Sequence, residues 1–324
     1  MGRHPNAERR RPVPGGIVSR IVLRQATRAF GYGRRRRTAL RACSFEAEAG
    51  EIVGIVGPNG AGKTTLLNIL SGAIGLTSGE ALVEGFRAGT REARRRVGVA
   101  SDPPVMPVEL TGAEWLAYLA SHRAASFRGR ARLIGDAIEA AEIAEFVGRR
   151  TGTYSRGMLQ RLSLAAAAIT GTDAVLLDET LSGIDPLVHR RLRLQVARLA
   201  EGGRVVLIAS HDLAAVERLA SRVLVLADGV VRADVATARL LAERVAELTL
   251  TGAALACAGR LLARYRGAVR TGTGVAVPLL GGLTVEQLLG ACRQDRIAVA
   301  ASRVRYRALE DILVAAVGAE AHVA

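Results

Sequence analysis

Two periods of apolar and polar residues follow each other along the chain, and each predicts a different element. Stretches beginning at Ile17 (IVSRIVLRQ) and at Cys43 (CSFEAEAGEIVGIVG) predict strands, because β-branched residues alternate there with polar ones. The second stretch becomes continuously apolar before a glycine-rich segment, after which KTTLLNILSGAI predicts a helix. Residues 111–169 have helical periodicity, and Thr111 and Glu114 have the spacing of a capping box.

Three short apolar stretches then predict buried strands: DAVLLDE, GRVVLIASHD and RVLVLADGVV. Strands that alternate with helices indicate an α/β fold with a mainly parallel sheet covered on both faces. The pattern changes near Ala233, and a later helix–strand–helix pattern, with Thr284 and Gln287 at capping-box spacing, predicts a small α+β region. The predicted organisation is a flexible basic tail (1–16), an α/β domain (17–232) with helical residues at about 104–170, and a C-terminal accessory domain (233–324).

The charge of the chain changes this picture little. The net charge is +15, with runs of arginine at 34–37 and 94–96, which raises the question of an anionic partner. We interpret these runs first as a solvated face of an Arg-rich chain and second as a contact with acidic lipid headgroups. Nucleic acid is the least favoured partner, because aromatic residues make up only 3% and none interleaves with the basic runs.

Cysteines and apolar runs bound the cellular setting. Cys43, Cys257 and Cys292 are odd in number and far apart, which argues against disulfides and metal binding and suits a reducing cytoplasm. No apolar run reaches the roughly 18 residues of a spanning helix, and the N-terminus lacks the apolar region of a secretory signal. We therefore expect a chain without a transmembrane segment of its own.

The glycine-rich segment GPNGAGKTT fits the pattern G-x-x-x-x-G-K-[ST], in which backbone N–H groups and the following helix N-terminus surround phosphate oxygens. Lys63 is the only lysine in the sequence, and the other 44 of the 45 basic residues are arginines. Lysine is kept here because a compact ammonium suits such a loop better than a guanidinium. It is predicted to reach the β- and γ-phosphates, and the hydroxyl of Thr64 to bind Mg²⁺. The residues predicted to bind ATP here are Gly57, Pro58, Asn59, Gly60, Ala61, Gly62, Lys63, Thr64 and Thr65.

Two predicted strands end in residues that suit phosphate chemistry. Asp178 and Glu179 close AVLLDE, so the Asp can orient a Mg²⁺ shell and the Glu can act as general base on water. His211 ends the next strand, and we expect it at the same edge of the sheet, where its ring could hydrogen-bond a γ-phosphate oxygen. The predicted catalytic residues are Glu179, His211 and Lys63.

From about residue 17 to 230 the chain resembles the ATPase subunit of an ABC transporter. GPNGAGKTT resembles the Walker A motif, AVLLDE resembles Walker B, and YSRGMLQRL lies where the family has its signature. SGIDP resembles the D-loop, with Asp185 as its acid, and SHD supplies the switch histidine. This order of motifs is specific, because other phosphate-loop families lack the signature and D-loop at these places.

The resemblance implies a head-to-tail dimer in which ATP lies between Walker A of one copy and the signature of the other. The signature residues would be Ser155, Arg156, Gly157 and Met158, with the Ser155 hydroxyl and the Gly157 N–H on the γ-phosphate in trans. An aromatic residue upstream of Walker A would stack on adenine. Phe30 matches that position best, and Tyr32 is the second choice.

The chain departs from the family pattern in three places. Its signature reads Tyr-Ser-Arg-Gly-Met instead of Leu-Ser-Gly-Gly-Gln, a form that resembles exporter subunits with a separate permease. Asp102 stands where the family has the Q-loop glutamine, so a direct contact or a water-mediated one with the metal is open. Thr180 replaces the usual proline. The predicted metal residues are Thr64, Asp178 and Asp102.

The leading prediction is an ATP-hydrolysing subunit that powers export through separate integral-membrane permease subunits. It would act as a homodimer at the inner face of the cell membrane, and residues 105–110 and the helices after them would contact the permease. The alternative is a soluble ABC-type ATPase that acts on ribosomes or DNA. It is disfavoured because the chain has one cassette and no sustained heptads between Thr64 and Asp178. A non-hydrolysing regulator is disfavoured because Glu179 and His211 are present.

Overall fold

The computed structural model describes residues 19–180 and 186–318, which fall into two compact units. The first contains the described chain up to Val53 and Thr64–Ala209, and the second contains Gly54–Lys63 and the chain from Ser210 onwards. The predicted tail (1–16) lies outside the described residues. The predicted boundary near Ala233 stays a prediction.

The elements up to Ala209 are strands and helices, with three consecutive strands at the start and three consecutive α-helices in the middle. In chain order they are β1 (Ser19–Phe30), β2 (Arg37–Glu48), β3 (Ile52–Val56), α1 (Lys63–Ser71), β4 (Ser78–Val83), β5 (Phe86–Arg87), α2 (Arg91–Arg94), β6 (Val97–Ser101), α3 (Gly112–Ser121), α4 (Phe127–Ala141), α5 (Arg156–Thr170), β7 (Ala174–Asp178), α6 (Pro186–Glu201) and β8 (Val205–Ala209).

The first unit contains a parallel arrangement of β6, β7 and β8. Leu176 in β7 lies opposite Val99 in β6 and Leu207 in β8. The N–H of Val206 donates to the carbonyl of Glu51, which leads into β3 (2.9 Å). Strands β7 and β8 are almost wholly buried, which explains their continuous apolar sequences. The parallel strands are therefore confirmed, whereas a separate antiparallel sheet of order β2-β1-β4-β5 was not predicted.

Helices α3, α4 and α5 pack around an apolar cluster that includes Leu116, Ile143 and Leu162. The Thr111 hydroxyl accepts the N–H of Glu114, whose side chain returns to Thr111, so the predicted capping box is confirmed. Helix α5 also lies directly on β6, because a Cβ atom at Gly98 would be 2.0 Å from the carbonyl oxygen of Ala167. This contact fixes the helix that begins at the predicted signature.

From Ser210 onwards the second unit continues with shorter elements. They are α7 (Leu213–Leu219), β9 (Arg222–Ala227), β10 (Val230–Ala236), α8 (Thr237–Ala242), β11 (Arg244–Leu250), α9 (Ala258–Arg264), β12 (Val269–Thr271), β13 (Gly274–Pro278), α10 (Val285–Gln294), β14 (Val299–Tyr306) and α11 (Leu309–Gly318). Strands β12-β13-β11-β14 form an antiparallel sheet, and apolar residues of β11, β13, α9 and α10 form its core. The predicted helix–strand–helix pattern and the second capping box, at Thr284, are confirmed.

Three predicted elements are shorter in the structure than in the sequence interpretation. The stretch from Cys43 is divided between β2 and β3 by a turn in which Gly50 has a φ of +79°. Helix α1 ends at Ser71, because Gly72 adopts the left-handed conformation (φ +76°) that commonly ends helices. RVLVLADGVV is a hairpin of β9 and β10 and not one strand. Among the described residues, no helix has the length and apolarity needed to cross a bilayer.

Candidate functional site

In the second unit, the glycine-rich loop leaves the end of β3 and curls around the side chain of Lys63. The Lys63 ammonium is buried and donates to the carbonyl oxygens of Gly57 (2.8 Å) and Pro58 (3.3 Å). A Cβ atom at Gly57 would be 2.0 Å from the carbonyl oxygen of Leu226 in β9, so no other residue fits this backbone path. The loop therefore approaches a neighbouring strand as closely as glycine allows.

Further backbone contacts fix the same loop. The N–H of Ala61 donates to the carbonyl of Pro58 (3.1 Å), and the N–H of Gly229 donates to the carbonyl of Ala61 (3.1 Å). Gly60 and Gly62 have positive φ values of +82° and +107°. These conformations turn successive peptide groups, as an anion-binding backbone requires. The loop geometry and its single ammonium thus fit the phosphate groups of ATP.

In the first unit, the residue after that lysine lies beside the end of β7. The Thr64 hydroxyl donates to a carboxylate oxygen of Asp178 at 3.2 Å, across 114 residues of sequence. A hydroxyl and a carboxylate are oxygen ligands of the kind that Mg²⁺ prefers. Among the residues described, no cluster of three or more His, Cys, Asp or Glu could hold a metal. One hydroxyl and one carboxylate are a donor set that fits Mg²⁺, which keeps several waters and takes phosphate oxygens as ligands.

Glu179 occupies a strained position directly after β7. Its φ is +54°, in the left-handed region that non-glycine residues rarely adopt. Its N–H donates to the carbonyl of Ala209, the last residue of β8 (2.8 Å), which holds the conformation. Strain of this kind is roughly 1–3 kcal/mol and clusters at functional sites. The position is consistent with a general base, and that role stays a prediction.

His211 belongs to the second unit, where it is exposed and precedes α7. The N–H of Ser210 donates to the carbonyl of Ile55 in β3 (3.3 Å), and the Asp212 carboxylate caps α7 by accepting the N–H of Ala215 (2.9 Å). The histidine is thus held between two anchored residues. Its predicted contact with a γ-phosphate stays a prediction.

Asp102 has a partner that the sequence did not indicate. Its N–H donates to the carbonyl of Asp178 (3.0 Å), which fixes it beside the end of β7. Its carboxylate, however, pairs with the guanidinium of Arg156, the third signature residue, at 2.5 Å. The two residues are 54 positions apart, and no local pattern announces the pair. The predicted metal role of Asp102 stays a prediction, but its carboxylate is already engaged within the chain.

The unusual signature has a capping function at the start of α5. The Ser155 hydroxyl accepts the N–H of Met158 (3.4 Å), and the Ser155 N–H points to the thioether sulfur of Met158 (3.5 Å). Met158 therefore takes the place that Glu or Gln holds in a capping box. Ser155 and Arg156 are exposed, and Gly157 lies in the first helical turn, where N–H groups have no intrahelical acceptor. The contact of Ser155 and Gly157 with a γ-phosphate in trans stays a prediction.

The remaining predicted residues lie in the first unit or outside the described ranges. Phe30 ends β1, and the guanidinium of Arg28 lies 4.5 Å from its ring centroid. The ring is partly exposed, whereas Tyr32 is almost fully exposed. Phe30 as the adenine-stacking residue stays a prediction, with Tyr32 as the second choice. Asp185 of the D-loop lies outside the described residues.

Comparisons with known proteins identify the family that the chain resembles. The family model described as ABC transporter matches residues 40–182. The chain is 36% identical over 216 residues to an uncharacterized ABC transporter ATP-binding protein of Nostoc sp., covering 66% of this chain and 64% of that relative. It is 32% identical over 222 residues to the fluoroquinolones export ATP-binding protein of Mycobacterium tuberculosis, covering 68% and 72%.

A solved dimeric bacterial ABC transporter cassette has the same fold. The TM-score is 0.61 at 24% identity, covering 67% of this chain and 98% of that one. The predicted α/β fold with a phosphate-loop sheet and a helical subdomain is therefore confirmed. The matched part of the chain spans 64% of the length of the Nostoc relative.

Proposed function

The chain belongs to the ABC transporter family as an ATP-binding protein, and we propose that it hydrolyses ATP to power export through separate integral-membrane permease subunits. The observation that carries the proposal is the 3.2 Å contact between the Thr64 hydroxyl and the Asp178 carboxylate, which joins the end of Walker A to the end of Walker B. Mg²⁺ bound there would neutralise phosphate charge. Export is supported by the name of one relative, the fluoroquinolones export ATP-binding protein.

In this proposal each residue near the phosphates has one task. Lys63 donates from the loop to the β- and γ-phosphates, and Thr64 and Asp178 hold the metal. Glu179 accepts a proton from the attacking water, and its backbone is held directly after β7 with a φ of +54°. His211 hydrogen-bonds the γ-phosphate.

We propose further that two copies bind ATP in a head-to-tail dimer. Ser155 and Gly157 at the start of α5 would contact the γ-phosphate of the other copy. The exposure of Ser155 and its place at the start of α5, where the helix dipole favours an anion, support this role. Phe30 would stack on adenine.

The experiment that tests hydrolysis compares Glu179→Gln with the matched variant Glu139→Gln. Glu139 is an exposed acid on α4, and Glu139→Gln is the same chemical change at a residue with no predicted contact to the phosphates. Removing a general base lowers turnover by roughly 10²–10⁴-fold. We expect that loss for Glu179→Gln with ATP binding retained, and normal turnover for Glu139→Gln. Equal turnover of the two variants would place the base elsewhere.

The lysine gives a second, independent test of the same site. Lys63→Ala removes the only ammonium of the loop and should abolish ATP binding. Lys63→Arg keeps the charge but introduces a planar, wider group among the glycines, so we expect it to lose turnover as well. Fluorescent ATP-analogue binding separates the two effects, and normal activity of the Arg variant contradicts the proposed fit.

The permease would dock on the exposed apolar residues that follow β6. Val105 is 86% exposed, and Val108 and Tyr118 are exposed large apolar residues of the same unit. Val105→Asp should reduce the amount of the chain that is recovered in the membrane fraction of cells that express its permease. Val304→Asp makes the same change at an exposed valine of β14, in the second unit, and should leave this recovery unchanged. Equal recovery of the two variants contradicts this docking surface, and association with ribosomes instead of membranes would favour a soluble ATPase.

A further inference from the structure

The second unit contains a cavity of about 320 Å³ among its C-terminal elements. Its walls come from the end of α8, the turn before β12, and the residues that follow β13 and β14. The lining residues are Arg239, Glu243, Arg266, Gly267, Leu280 and Arg307. Three of the six lining residues are arginines, so the cavity is strongly basic.

Arg307 is a fixed part of the wall. Its side chain is only 11% exposed, and one guanidinium nitrogen donates to the Glu243 carboxylate. The Arg307 N–H also donates to the Glu243 carbonyl (2.9 Å). Its Nε is buried and has no hydrogen-bond acceptor in the described part of the chain. A buried guanidinium with an unused donor is costly unless another acceptor can approach.

Glu243 is the one acid in this lining. Burial would raise the pKa of its carboxyl, but hydrogen bonds from Arg307 and then Arg239 outweigh burial and lower that pKa. The carboxylate is therefore ionised at neutral pH and is shared by two guanidinium groups, at 2.9 Å in the case of Arg239. Three positive charges facing one negative charge leave the cavity with an excess of two.

The backbone keeps the cavity open beside Arg307. Gly267 has a φ of +76°, and a Cβ atom there would be 3.2 Å from Nη2 of Arg307. Any larger residue would therefore press on the guanidinium and fill this part of the space. Arg266, immediately before it, is exposed and makes no ion pair with the residues that the structure describes. Its charge is free for a ligand.

We propose that this cavity binds a phosphate dianion, carried either by a small phosphate monoester or by a lipid headgroup. The excess of two positive charges matches a dianion, and guanidinium groups bind phosphate through paired, charge-assisted hydrogen bonds. The volume lies at the lower end of the roughly 300–1,000 Å³ of small-molecule sites, so the phosphate-bearing part must be small. The site is separate from the ATP-binding loop and goes beyond the proposed ATPase function.

The test uses the full chain carrying Lys63→Ala, so that phosphate bound by the glycine-rich loop does not contribute. Inorganic phosphate and glycerol 3-phosphate are titrated by calorimetry at constant ionic strength. Arg266→Gln should weaken binding of both by about tenfold or more, since it removes a charge-assisted contact. The matched control Arg270→Gln removes the same charge from the exposed position of β12 and should change affinity less than about twofold.

A second arm separates the two sources of phosphate. Vesicles of phosphatidylcholine with phosphatidic acid are compared with pure phosphatidylcholine vesicles in a sedimentation assay. Loss of vesicle binding in Arg266→Gln but not in Arg270→Gln assigns the site to a lipid headgroup. An effect on the soluble phosphates alone assigns it to a small monoester. Equal affinities of the two variants for every probe, or no binding by the Lys63→Ala chain, overturns the proposal.

The ATPase function can be checked in the same variants. In an otherwise unchanged chain, Arg266→Gln should hydrolyse ATP at the basal rate, because Arg266 is not one of the residues proposed to bind or hydrolyse ATP. A chain that hydrolyses ATP but binds no phosphate probe refutes this site alone. A chain that binds the probes but does not hydrolyse ATP refutes the ATPase proposal alone.

Discussion

The ion pair between Asp102 and Arg156 competes with any binding of a metal by Asp102. The strength of the ion pair determines how much it would weaken Mg²⁺ binding by the Asp102 carboxylate. The two charged groups are 2.5 Å apart, with Asp102 17% and Arg156 54% exposed. In bulk water, unit charges at that separation attract by about 1.7 kcal/mol. Exposed pairs retain roughly 0.2–1 kcal/mol after side-chain ordering and salt screening, so we take about 1 kcal/mol as the upper value.

Arg156→Gln releases the carboxylate and should therefore strengthen its contribution to Mg²⁺ binding. A free energy of about 1 kcal/mol corresponds to roughly a fivefold change in an equilibrium constant. We expect the Mg²⁺ concentration that gives half-maximal ATPase activity to fall by at most about fivefold. The free energy of unfolding of Arg156→Gln should change by no more than about 1 kcal/mol, as a thermal melt would show. The shift in Mg²⁺ dependence is then not caused by unfolding.

Arg156 also belongs to the signature, so a double-mutant cycle is needed. The Mg²⁺ dependence is measured for the wild type, Arg156→Gln, Asp102→Asn and the double variant. If Asp102 contributes to the metal shell, the Arg156→Gln effect should vanish once Asp102 is replaced. An equal shift in both backgrounds refutes the reasoning, because the effect would then bypass Asp102.

Three further predictions concern groups away from the phosphates. Tyr154→Phe removes the 2.8 Å hydrogen bond from the phenol to the buried Phe146 carbonyl, so melting should fall by a few degrees, equivalent to about 1 kcal/mol. Burial raises the pKa of Cys43 to about 11, so iodoacetamide should label the more exposed Cys257 and leave Cys43 unmodified in the folded chain; equal labelling in peptide mass spectrometry contradicts this. Burial alone would raise the pKa of the Glu247 carboxyl, but hydrogen bonds from Arg303 and Arg305 of β14 outweigh burial, and the pKa is lowered. Its stabilising effect is therefore present above the unfolded-state pKa and lost as pH falls through the lowered pKa, so Glu247→Gln should destabilise the chain at neutral pH and much less in acid.

The parts of the site that the sequence predicts are contiguous segments with local physical causes. The glycine-rich loop follows from the backbone it must form, and Asp178 follows from its place at the end of an apolar strand. The pair of Asp102 and Arg156 joins residues 54 positions apart, so only the fold brings them together. Met158 as a capping partner also escapes prediction, because a thioether is not a usual capping group.

One missed feature had a signal in the sequence. Asp228 and Gly229 interrupt an apolar run, and Asp-Gly is a strong indicator of a two-residue hairpin turn. Both have positive φ values (49° and 78°), as a type I′ turn requires. The apolar run was long enough to favour one strand, and the turn signal inside it identifies two. The inclusion of Gly54–Lys63 in the same compact unit as the C-terminal residues has no such local signal.

Helix α11 gives the end of the described chain a mechanical role. It packs against β9, β10 and α7. Strand β9 carries the Leu226 carbonyl against which Gly57 fits without space for a Cβ atom. Helix α11 and the start of the phosphate loop therefore contact the same strand within one unit. A protease cut ahead of Leu309 would uncover part of that strand, so the loss of α11 would loosen a loop that lies some 250 residues earlier in the sequence.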